Sequence, residues 1–469
     1  WPPSGGSGVQ RWMFFAKYLK QLGHNPIVLT VDPKYASYNL IDNSLTDQVK
    51  DIKTHKTYSF EILKLYSLLK SGNRTKVIPQ SYIPNQSLFD KITSFIRLNF
   101  FIPDSRIGWN YFAFRKAKKL IENNNINCVI TTGQPHSTHL IGKKITEKFK
   151  LKWVVDLRDP WDEIFYLKDK FRFKYAKKLN LKFEAHVFNS ADSIITTVGD
   201  RYQNILKEKL SNSKKIHKIY NGYDKSVYDK IKEIKPSSFN IVFTGILSKN
   251  HNYQVFYEVL SYLKDEFNDL NLIFTFAGKI DKEIKPTSFN IVFTGVLSKN
   301  HNYQVFNKVL SHLKDEFNDL NMIFTFAGKI DKEIKKLYSE KIHFIDRGYV
   351  IHETAIEIIK SSHLLINFNY LNTEKTDMVS GKLIEYLASG SPIINFSNSA
   401  EESISLLKNS TKSFNADSND IIKVVNFIKK EYDDWSNGNY EKDIPKNIES
   451  FSRKKLTNDL VELIKNLVI

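Results

Sequence analysis

The segment from Asp377 to Glu385 is the part of the sequence whose residue types and spacing best suit a charged ligand. Ser380 and Gly381 stand where apolar residues begin to recur at helical spacing, so a helix is predicted to start there. A helix N-terminus presents unpaired N–H groups and the positive end of the helix dipole, which suits a phosphate group. Glu385 lies one turn further on, where its carboxylate could accept hydrogen bonds from a ribose diol. A capped surface helix in which Lys382 pairs with Glu385 is the alternative interpretation.

A second candidate for chemistry is His136, which lies between a predicted strand and a predicted helix. Open parallel sheets bind their ligands at the carboxyl ends of the strands, and this histidine follows such an end. A lone histidine is more often structural, so both interpretations stay open. After the next predicted strand, Arg158 and Asp159 are candidates for a binding cleft. For Asp156 we favour a structural role, in an Arg–Asp pair that fixes the loop.

The elements that position these residues alternate between strand and helix, which predicts parallel sheets covered on both faces and hence an α/β fold. The predicted strands outside the repeat described below are 26–31, 127–132, 153–156, 193–197, 342–345, 363–367 and 392–396. A polar stretch at 221–236 is the predicted linker between a domain at 1–220 and a domain at 237–440. Residues 441–469 end in an amphipathic helix that we expect to pack back toward the N-terminal domain.

Residues 236–285 and 286–335 form an internal repeat in which only six of fifty aligned positions differ. Each copy predicts one strand–helix–strand unit. A parallel sheet offers one place for the first strand of a domain, so the two copies compete for it. The second copy runs through a short connection into the next strand. We therefore expect 286–330 to take that place, and 236–285 to form an extra unit at the sheet edge or outside it.

The net charge of +18, from 69 basic and 51 acidic side chains, first suggests a nucleic-acid binder. Only ten of the basic residues are arginine, which reads bases and phosphates bidentately, and the lysines are spread along the chain. We therefore expect no nucleic-acid partner and favour an anionic membrane surface. The apolar segment Phe89–Phe101, with Lys91 and Arg97, is either an interfacial helix or a core helix. No apolar run approaches the length of a membrane span, and the single cysteine, Cys128, excludes an internal disulfide.

The sequence EYLASGSPI, at Glu385–Ile393, resembles the E-x-x-A-x-G-x-P-[IV] element of retaining glycosyltransferases that have two Rossmann-like domains, the GT-B fold. Asp377 and Glu385 are eight residues apart and resemble the E-x7-E motif of the family 4 type, with Asp in place of the first Glu. The opening sequence WPPSGGSGVQR, at Trp1–Arg11, resembles the glycine loop of the acceptor domain. We expect the strand before this loop to be missing from an N-terminally truncated chain. Three further segments resemble the same enzymes: Thr132–Ser137, Asp156–Trp161 and Tyr220–Asp224.

The resemblance implies two Rossmann-like domains facing across a cleft, with a nucleotide-diphosphate sugar in the C-terminal domain and a glycan or lipid-linked acceptor in the N-terminal one. Carried over by motif, Glu385 would hold the donor ribose and Asp377 the sugar hydroxyls. His136 would face the cleft as a catalytic or sugar-contacting residue, which makes these three the expected catalytic residues. The expected donor-binding residues are Gly5, Gly6, Lys299, Ser380, Gly381, Lys382, Leu383 and Glu385.

Enzymes of this family usually need no divalent metal, and the sequence has no D-x-D motif and no Cys/His ligand set. We therefore expect neither a metal nor another cofactor. A cation of the protein must then stabilise the leaving diphosphate. The family places it after the first strand of the donor domain, where the two copies of the repeat carry Lys249 and Lys299. Because we expect the second copy in the native place, Lys299 is the predicted residue.

The sequence thus predicts a metal-independent, retaining glycosyltransferase of the hexosyltransferase type. It would act in bacterial polysaccharide biosynthesis, for lipopolysaccharide or capsule, in the cytoplasm or at the inner face of the cell membrane. One alternative is a catalytically inactive sugar-nucleotide-binding or scaffold protein of the same fold. A nucleotide-sugar epimerase of the two-Rossmann type is the other. Turnover of a nucleotide sugar separates a transferase from an inactive binder.

Overall fold

The structure is a computed structural model that describes residues 1–36, 38, 41–60, 88–164, 167, 170–197, 199–210, 215–231, 239–244, 272–277, 289–293, 296–297, 322–326, 329–330, 343–346, 350–368, 381–396, 401–416 and 421–468. The chain divides into two compact units. Unit 1 comprises Trp1–Asn221 and Arg453–Ile469, and unit 2 comprises Gly222–Ser452.

The described strands and helices alternate through much of unit 1 and through unit 2 from residue 343 onward. The strands are β1 Ile27–Val31, β2 Lys53–Thr57, β3 Cys128–Gly133, β4 Lys152–Leu157, β5 Ser193–Thr196, β6 Ile216–Lys218, β7 Phe239–Thr244, β8 Leu272–Ala277, β9 Phe289–Phe293, β10 Val296–Leu297, β11 Met322–Phe326, β12 Lys329–Ile330, β13 His343–Asp346, β14 Leu364–Phe368, β15 Ile393–Phe396 and β16 Ser413–Ala416. The helices are α1 Ser7–Gln21, α2 Ser44–Asp47, α3 Leu88–Phe100, α4 Asn110–Glu122, α5 Ser137–Phe149, α6 Lys174–Ser190, α7 Asp200–Lys209, α8 Lys225–Lys230, α9 His352–Lys360, α10 Gly381–Ser389, α11 Glu401–Leu407, α12 Ile421–Ser436 and α13 Arg453–Val468.

Unit 1 is built on a parallel sheet in the order β3-β4-β5-β6, beside a parallel pair of β1 and β2. Strand β4 is an apolar run whose residues Trp153, Val154 and Val155 are fully buried, as expected of a strand covered on both faces. On one face, Phe15 of α1 and Leu456 and Leu460 of α13 join Val154 in one apolar cluster. The helix near the end of the chain therefore packs on the sheet of unit 1.

Unit 2 is built on a five-stranded parallel sheet in the order β16-β15-β14-β7-β8. A three-stranded parallel sheet, β13-β11-β9, and a parallel pair of β10 and β12 complete its described strands. The strands predicted outside the repeat are confirmed in both units, to within one residue at each end. The segment predicted as a linker, 221–236, contains helix α8.

The two copies of the repeat form the same parallel pair of strands in the same register. Phe239 pairs with Leu272 in the first copy, and Phe289 pairs with Met322 in the second. The sheets that they join differ. Strand β7 of the first copy pairs with β14 in the five-stranded sheet, whereas β11 of the second copy pairs with β13 in the three-stranded sheet. The prediction that 286–330 takes the place in the main sheet is therefore wrong.

The entry of the chain into unit 2 accounts for this choice. Two nearly identical copies pack almost equally well, so side chains cannot select between them and the connections must. Helix α8 precedes the first copy directly, and Lys360 of α9 donates from Nζ to the carbonyl oxygens of Tyr228 and Ile231 at its end. Because α9 leads into β14, these bonds bring the first copy to the edge of β14. The expectation for Lys299 rested on the other placement, and both Lys299 and Lys249 lie outside the described residues.

No helix in the described part of the chain has both the length and the apolar character needed to cross a membrane.

Candidate functional site

The helix predicted to start at Ser380 and Gly381 is present as α10, which starts at Gly381. Its apolar residues, among them Leu383 and Tyr386, are fully buried, so the helix is fixed against the sheet of unit 2 by its own pattern. Burial also lowers the pKa of Lys382 to about 7, while the negative charge of Glu385 opposes this shift. The first turn of α10 thus carries an amine that a bound anion would hold in its charged form.

Glu385 is held in place by two residues that the sequence did not single out. Tyr228 of α8 donates from its hydroxyl to the main-chain oxygen of Glu385 at 2.7 Å. His352, the first residue of α9, lies with Nε2 at 3.8 Å from Oε1 of Glu385, and both side chains are largely buried. The Tyr228 hydroxyl therefore fixes the backbone of Glu385, and His352 lies close to its carboxylate. A precise acceptor of this kind suits a ligand diol better than a freely rotating surface side chain would.

The structure describes only some of the other residues of unit 2 that were predicted to contact the donor. Leu383 is part of the core with no exposed surface, so only its backbone is available to a ligand. Asp377 and Ser380 lie outside the described residues. The structure therefore brings together Gly381, Lys382 and Glu385 at one helix end.

The glycine loop of unit 1 leads into α1 and packs on Arg158. Gly6 has a φ of 97°, which favours glycine, and Gly5 precedes it in the loop. A Cβ atom on Gly8 would fall 1.6 Å from Nη1 of Arg158, so a larger residue here would require the Arg158 side chain to move. Arg158 in turn donates to Oδ2 of Asp159 at 3.0 Å. The two predicted cleft residues therefore form a half-buried ion pair that supports the loop.

Asp156 accepts four hydrogen bonds in the interior of unit 1, and its main partner is Arg11 of α1. Nε and Nη2 of Arg11 donate to Oδ1 at 3.1 and 2.8 Å, while Trp12 and Thr132 donate to Oδ2 at 2.6 and 2.8 Å. Arg11 also donates to the main-chain oxygen of Tyr220 at 2.9 Å. Asp156 is therefore structural, but its partner is the distant Arg11 rather than an arginine of its own loop, where Arg158 pairs with Asp159 instead.

His136 lies at the wall of a pocket, stacked on Trp161 with ring centroids 4.6 Å apart. It is buried, and neither ring nitrogen has a hydrogen-bond partner of normal geometry. Burial lowers its pKa to about 4, against the opposing charges of Asp104 and Asp159. The ring is therefore neutral at pH 7, with one nitrogen able to donate and one able to accept. His139, by contrast, is fully buried and bonded to Thr131, so it is structural.

The pocket beside His136 is partly open to solvent. Helices α3 and α6 and the loop after α3 form its walls. It is lined by Arg97, Leu98, Phe101, Ile102, Pro103, Asp104, Ser105, Gln134, His136, Trp161, Leu167, Arg172, Ala176 and Asn180. Charged, amide and aromatic side chains at one concave surface are typical of a site for a polar, ring-shaped ligand.

Among the described residues, no group of three or more His, Cys, Asp or Glu side chains is placed to hold a metal ion.

Known structures resemble this one over almost its whole length. A glycosyltransferase from Rickettsia africae matches with a TM-score of 0.53 and 14% identity, over 99% of this chain and 96% of that one. Sucrose-phosphate synthase from Thermosynechococcus elongatus matches at 0.52 and 12%, over 99% and 94%. HepE from Anabaena, in complex with UDP and glucose, matches at 0.52 and 12%, over 99% and 96%.

The chain has the GT-B fold of two Rossmann-like domains. Identities this low establish a common fold and leave the substrate to be argued from the site. A scan of the sequence against family models and a search of curated proteins both give no match.

Proposed function

We propose that the protein is a metal-independent, retaining glycosyltransferase that transfers a hexosyl group from a nucleotide-diphosphate sugar to a glycan or lipid-linked acceptor. Its place would be polysaccharide biosynthesis at the inner face of the cell membrane. The observation that carries the proposal is the first turn of α10, where Gly381, Lys382 and Glu385 lie at one helix end. The GT-B fold supports it as an analogy.

The chemistry of the step explains why these residue types are needed. When the bond between the sugar and the diphosphate breaks, negative charge develops on the leaving group. The helix N-terminus and Lys382 offer positive charge there, and a bound diphosphate raises the pKa of the amine back toward its charged form. Glu385 accepts hydrogen bonds from the ribose hydroxyls and so fixes the nucleotide. Because HepE is bound to UDP, uridine is the first nucleotide to test.

The pocket of unit 1 is the proposed acceptor site. The neutral ring of His136 can donate to or accept from a sugar hydroxyl, and Trp161 is stacked on it. Gln134 adds an amide group that can orient the acceptor, while Asn180 holds Trp161 in place by accepting a hydrogen bond from its Nε1 at 3.0 Å.

A thermal-shift screen of UDP, ADP and GDP tests the donor assignment, because a ligand that binds the folded state raises apparent stability by mass action. We expect one diphosphate to stabilise the protein equally with and without EDTA. Glu385→Ala should weaken its binding about a hundredfold, since hydrogen bonds to a charged group contribute about 3 kcal/mol together. Glu357→Ala, an exposed glutamate of neighbouring helix α9, is the matched control and should bind normally.

Unchanged affinity in Glu385→Ala would refute the donor site, and stabilisation lost in EDTA would refute metal independence. Release of the diphosphate from the matching nucleotide sugar, in the presence of a glycan or lipid-linked acceptor, separates a transferase from an inactive binder. An epimerase would convert the sugar without releasing it to an acceptor.

A further inference from the structure

Unit 1 exposes six large apolar side chains on two neighbouring elements, here called the aromatic patch. Three of them, Ile92, Ile96 and Phe100, belong to α3, while Phe171 and Phe173 lie in the short segment that leads into α6 and Tyr175 is the second residue of α6. The exposed fractions are 54% for Ile92, 40% for Ile96, 65% for Phe100, 68% for Phe171, 42% for Phe173 and 73% for Tyr175. Scattered apolar residues are normal on a protein surface, but six large ones on two neighbouring elements, with ring contacts among them, indicate an interaction site.

Contacts between the rings hold the patch together. Phe95 of α3 lies 6.0 Å from Phe171 and 5.2 Å from Phe173, measured between ring centroids, and Phe100 lies 6.4 Å from Phe173. Buried Asn99 accepts a hydrogen bond from the backbone N–H of Phe173, which fixes the segment to α3. The patch is therefore a built surface with defined neighbours rather than a loose loop.

Basic residues predominate along the segment that carries Phe171, Phe173 and Tyr175. The sequence KFRFKYAKK, at 170–178, alternates basic and aromatic residues, and 170–182 holds six basic residues and no acidic one. Lys174, Lys177, Lys178 and Lys182 are exposed. Apolar side chains flanked by lysines suit the boundary of an anionic bilayer, where the rings enter the acyl region and the amines meet headgroup phosphates.

We propose that the aromatic patch docks unit 1 onto an anionic lipid bilayer. The same two elements that form the patch also form walls of the pocket, through Arg97 of α3 and Arg172 next to Phe171. Asp162 holds Arg172 in position at 2.5 Å. A bilayer bound at the patch therefore lies beside the opening that holds His136, so a membrane-resident acceptor can enter without leaving the lipid. The docking does not depend on the proposed function. Only the entry of an acceptor from the lipid rests on that function.

Cosedimentation with phosphatidylcholine vesicles, with and without phosphatidylglycerol, tests the docking. We expect the protein to bind only the anionic vesicles and to be released by salt. Phe171→Ser/Tyr175→Ser should weaken binding at least about tenfold, because two largely exposed rings no longer enter the apolar region. Tyr111→Ser/Ile422→Ser, at two other exposed apolar positions, is the matched control and should bind like the wild type.

The charge is tested in the same assay. Lys174→Glu/Lys178→Glu should weaken binding at least about 25-fold, from about fivefold for each lysine near an anionic surface. Lys408→Glu/Lys446→Glu makes the same change in net charge at exposed positions of unit 2 and should have little effect. Equal loss in both charge variants would show general attraction and overturn the assigned surface.

Three further results would overturn the docking: no vesicle binding, equal binding to neutral vesicles, or a concentration-dependent dimer that the patch variant abolishes. Nucleotide diphosphate binding by the same variants, measured in solution, keeps this test apart from the proposed function. Phe171→Ser/Tyr175→Ser should bind the diphosphate like the wild type, because α10 belongs to the other unit. Vesicle binding without any nucleotide binding would refute the transferase proposal and leave the docking in place.

Discussion

Replacing Asp156 by Asn should destabilise unit 1 by about 3–5 kcal/mol, the cost of breaking a buried ion pair from one side. Both side chains of the Arg11–Asp156 pair have no exposed surface. Arg11 would keep its charge without a counter-charge, because guanidinium does not lose its proton in proteins. The substitution leaves the size of the side chain nearly unchanged, so packing contributes little to the loss.

The hydrogen bonds explain why an amide cannot replace this carboxylate. Arg11 uses Oδ1, whereas Trp12 and Thr132 use Oδ2. An asparagine has only one oxygen, so its NH₂ group must face either the guanidinium or the indole N–H, donor against donor. If Arg11→Met is added, the oxygen can turn toward Trp12 and Thr132. The double variant should therefore cost less than the sum of the single variants by about 2 kcal/mol.

Hydrogen exchange of peptides that cover β4, measured across a urea series, reports the unfolding free energy of unit 1 apart from unit 2. Asp459→Asn is the matched control, since it removes the surface ion pair with Lys455, in which the side chains are 44% and 53% exposed. It should cost less than about 0.5 kcal/mol. Additive costs for Arg11→Met and Asp156→Asn, or a loss no larger than that of the control, would refute the reasoning.

Two more predictions concern unit 2. Since burial lowers the pKa of Lys382 to about 7, the affinity for UDP-glucose, whose phosphates are diesters and do not titrate nearby, should fall as pH rises from about 6 to about 8; calorimetric titration should show this slope in the wild type and a flat profile in Lys382→Arg, and a flat wild-type profile would contradict the assignment. Deleting 286–335 should leave the melting temperature unchanged or raised, because β8 can then pair with β13 as β11 does, and a lower melting temperature would contradict this account.

Features that depend on neighbouring residues could be predicted from the sequence. Apolar runs predict the strands β3, β4, β14 and β15, and an apolar face at helical spacing predicts α10, because elements buried in or against a sheet need such patterns. The glycines of the opening loop likewise indicate a backbone that a side chain would disturb, as the φ of Gly6 demonstrates. In these places local sequence and final structure agree.

Features that depend on long-range contacts could not be predicted. Asp156 and Arg11 are 145 residues apart, and no residue near Asp156 in the sequence identifies Arg11 as its partner. Tyr228 and Glu385 are 157 residues apart. His352 gives no signal beyond being a histidine at the start of a helix. Such contacts follow from topology, which a single sequence fixes only in outline.

Two features of the sequence, the repeat and the segment 170–178, can be interpreted only with the structure. The two copies of the repeat are nearly equal candidates for the place beside β14 in the main sheet. The short connection to the next strand favours the second copy, whereas the hydrogen bonds that hold α8 favour the first, and the first copy takes the place. The alternation of basic and aromatic residues at 170–178 was readable from the sequence alone. It gains its meaning only when the structure sets it against α3, whose residues Ile92, Ile96 and Phe100 are exposed.

The central claim is that a nucleotide diphosphate binds at the first turn of α10. Hydrogen exchange of the peptide that covers Gly381–Tyr386, with and without the diphosphate that stabilises the protein, tests it most directly. The account predicts slower exchange in this peptide for the wild type and for Glu357→Ala, and no change for Glu385→Ala at the same ligand concentration. Unchanged exchange at α10 together with protection confined to unit 1 would contradict it.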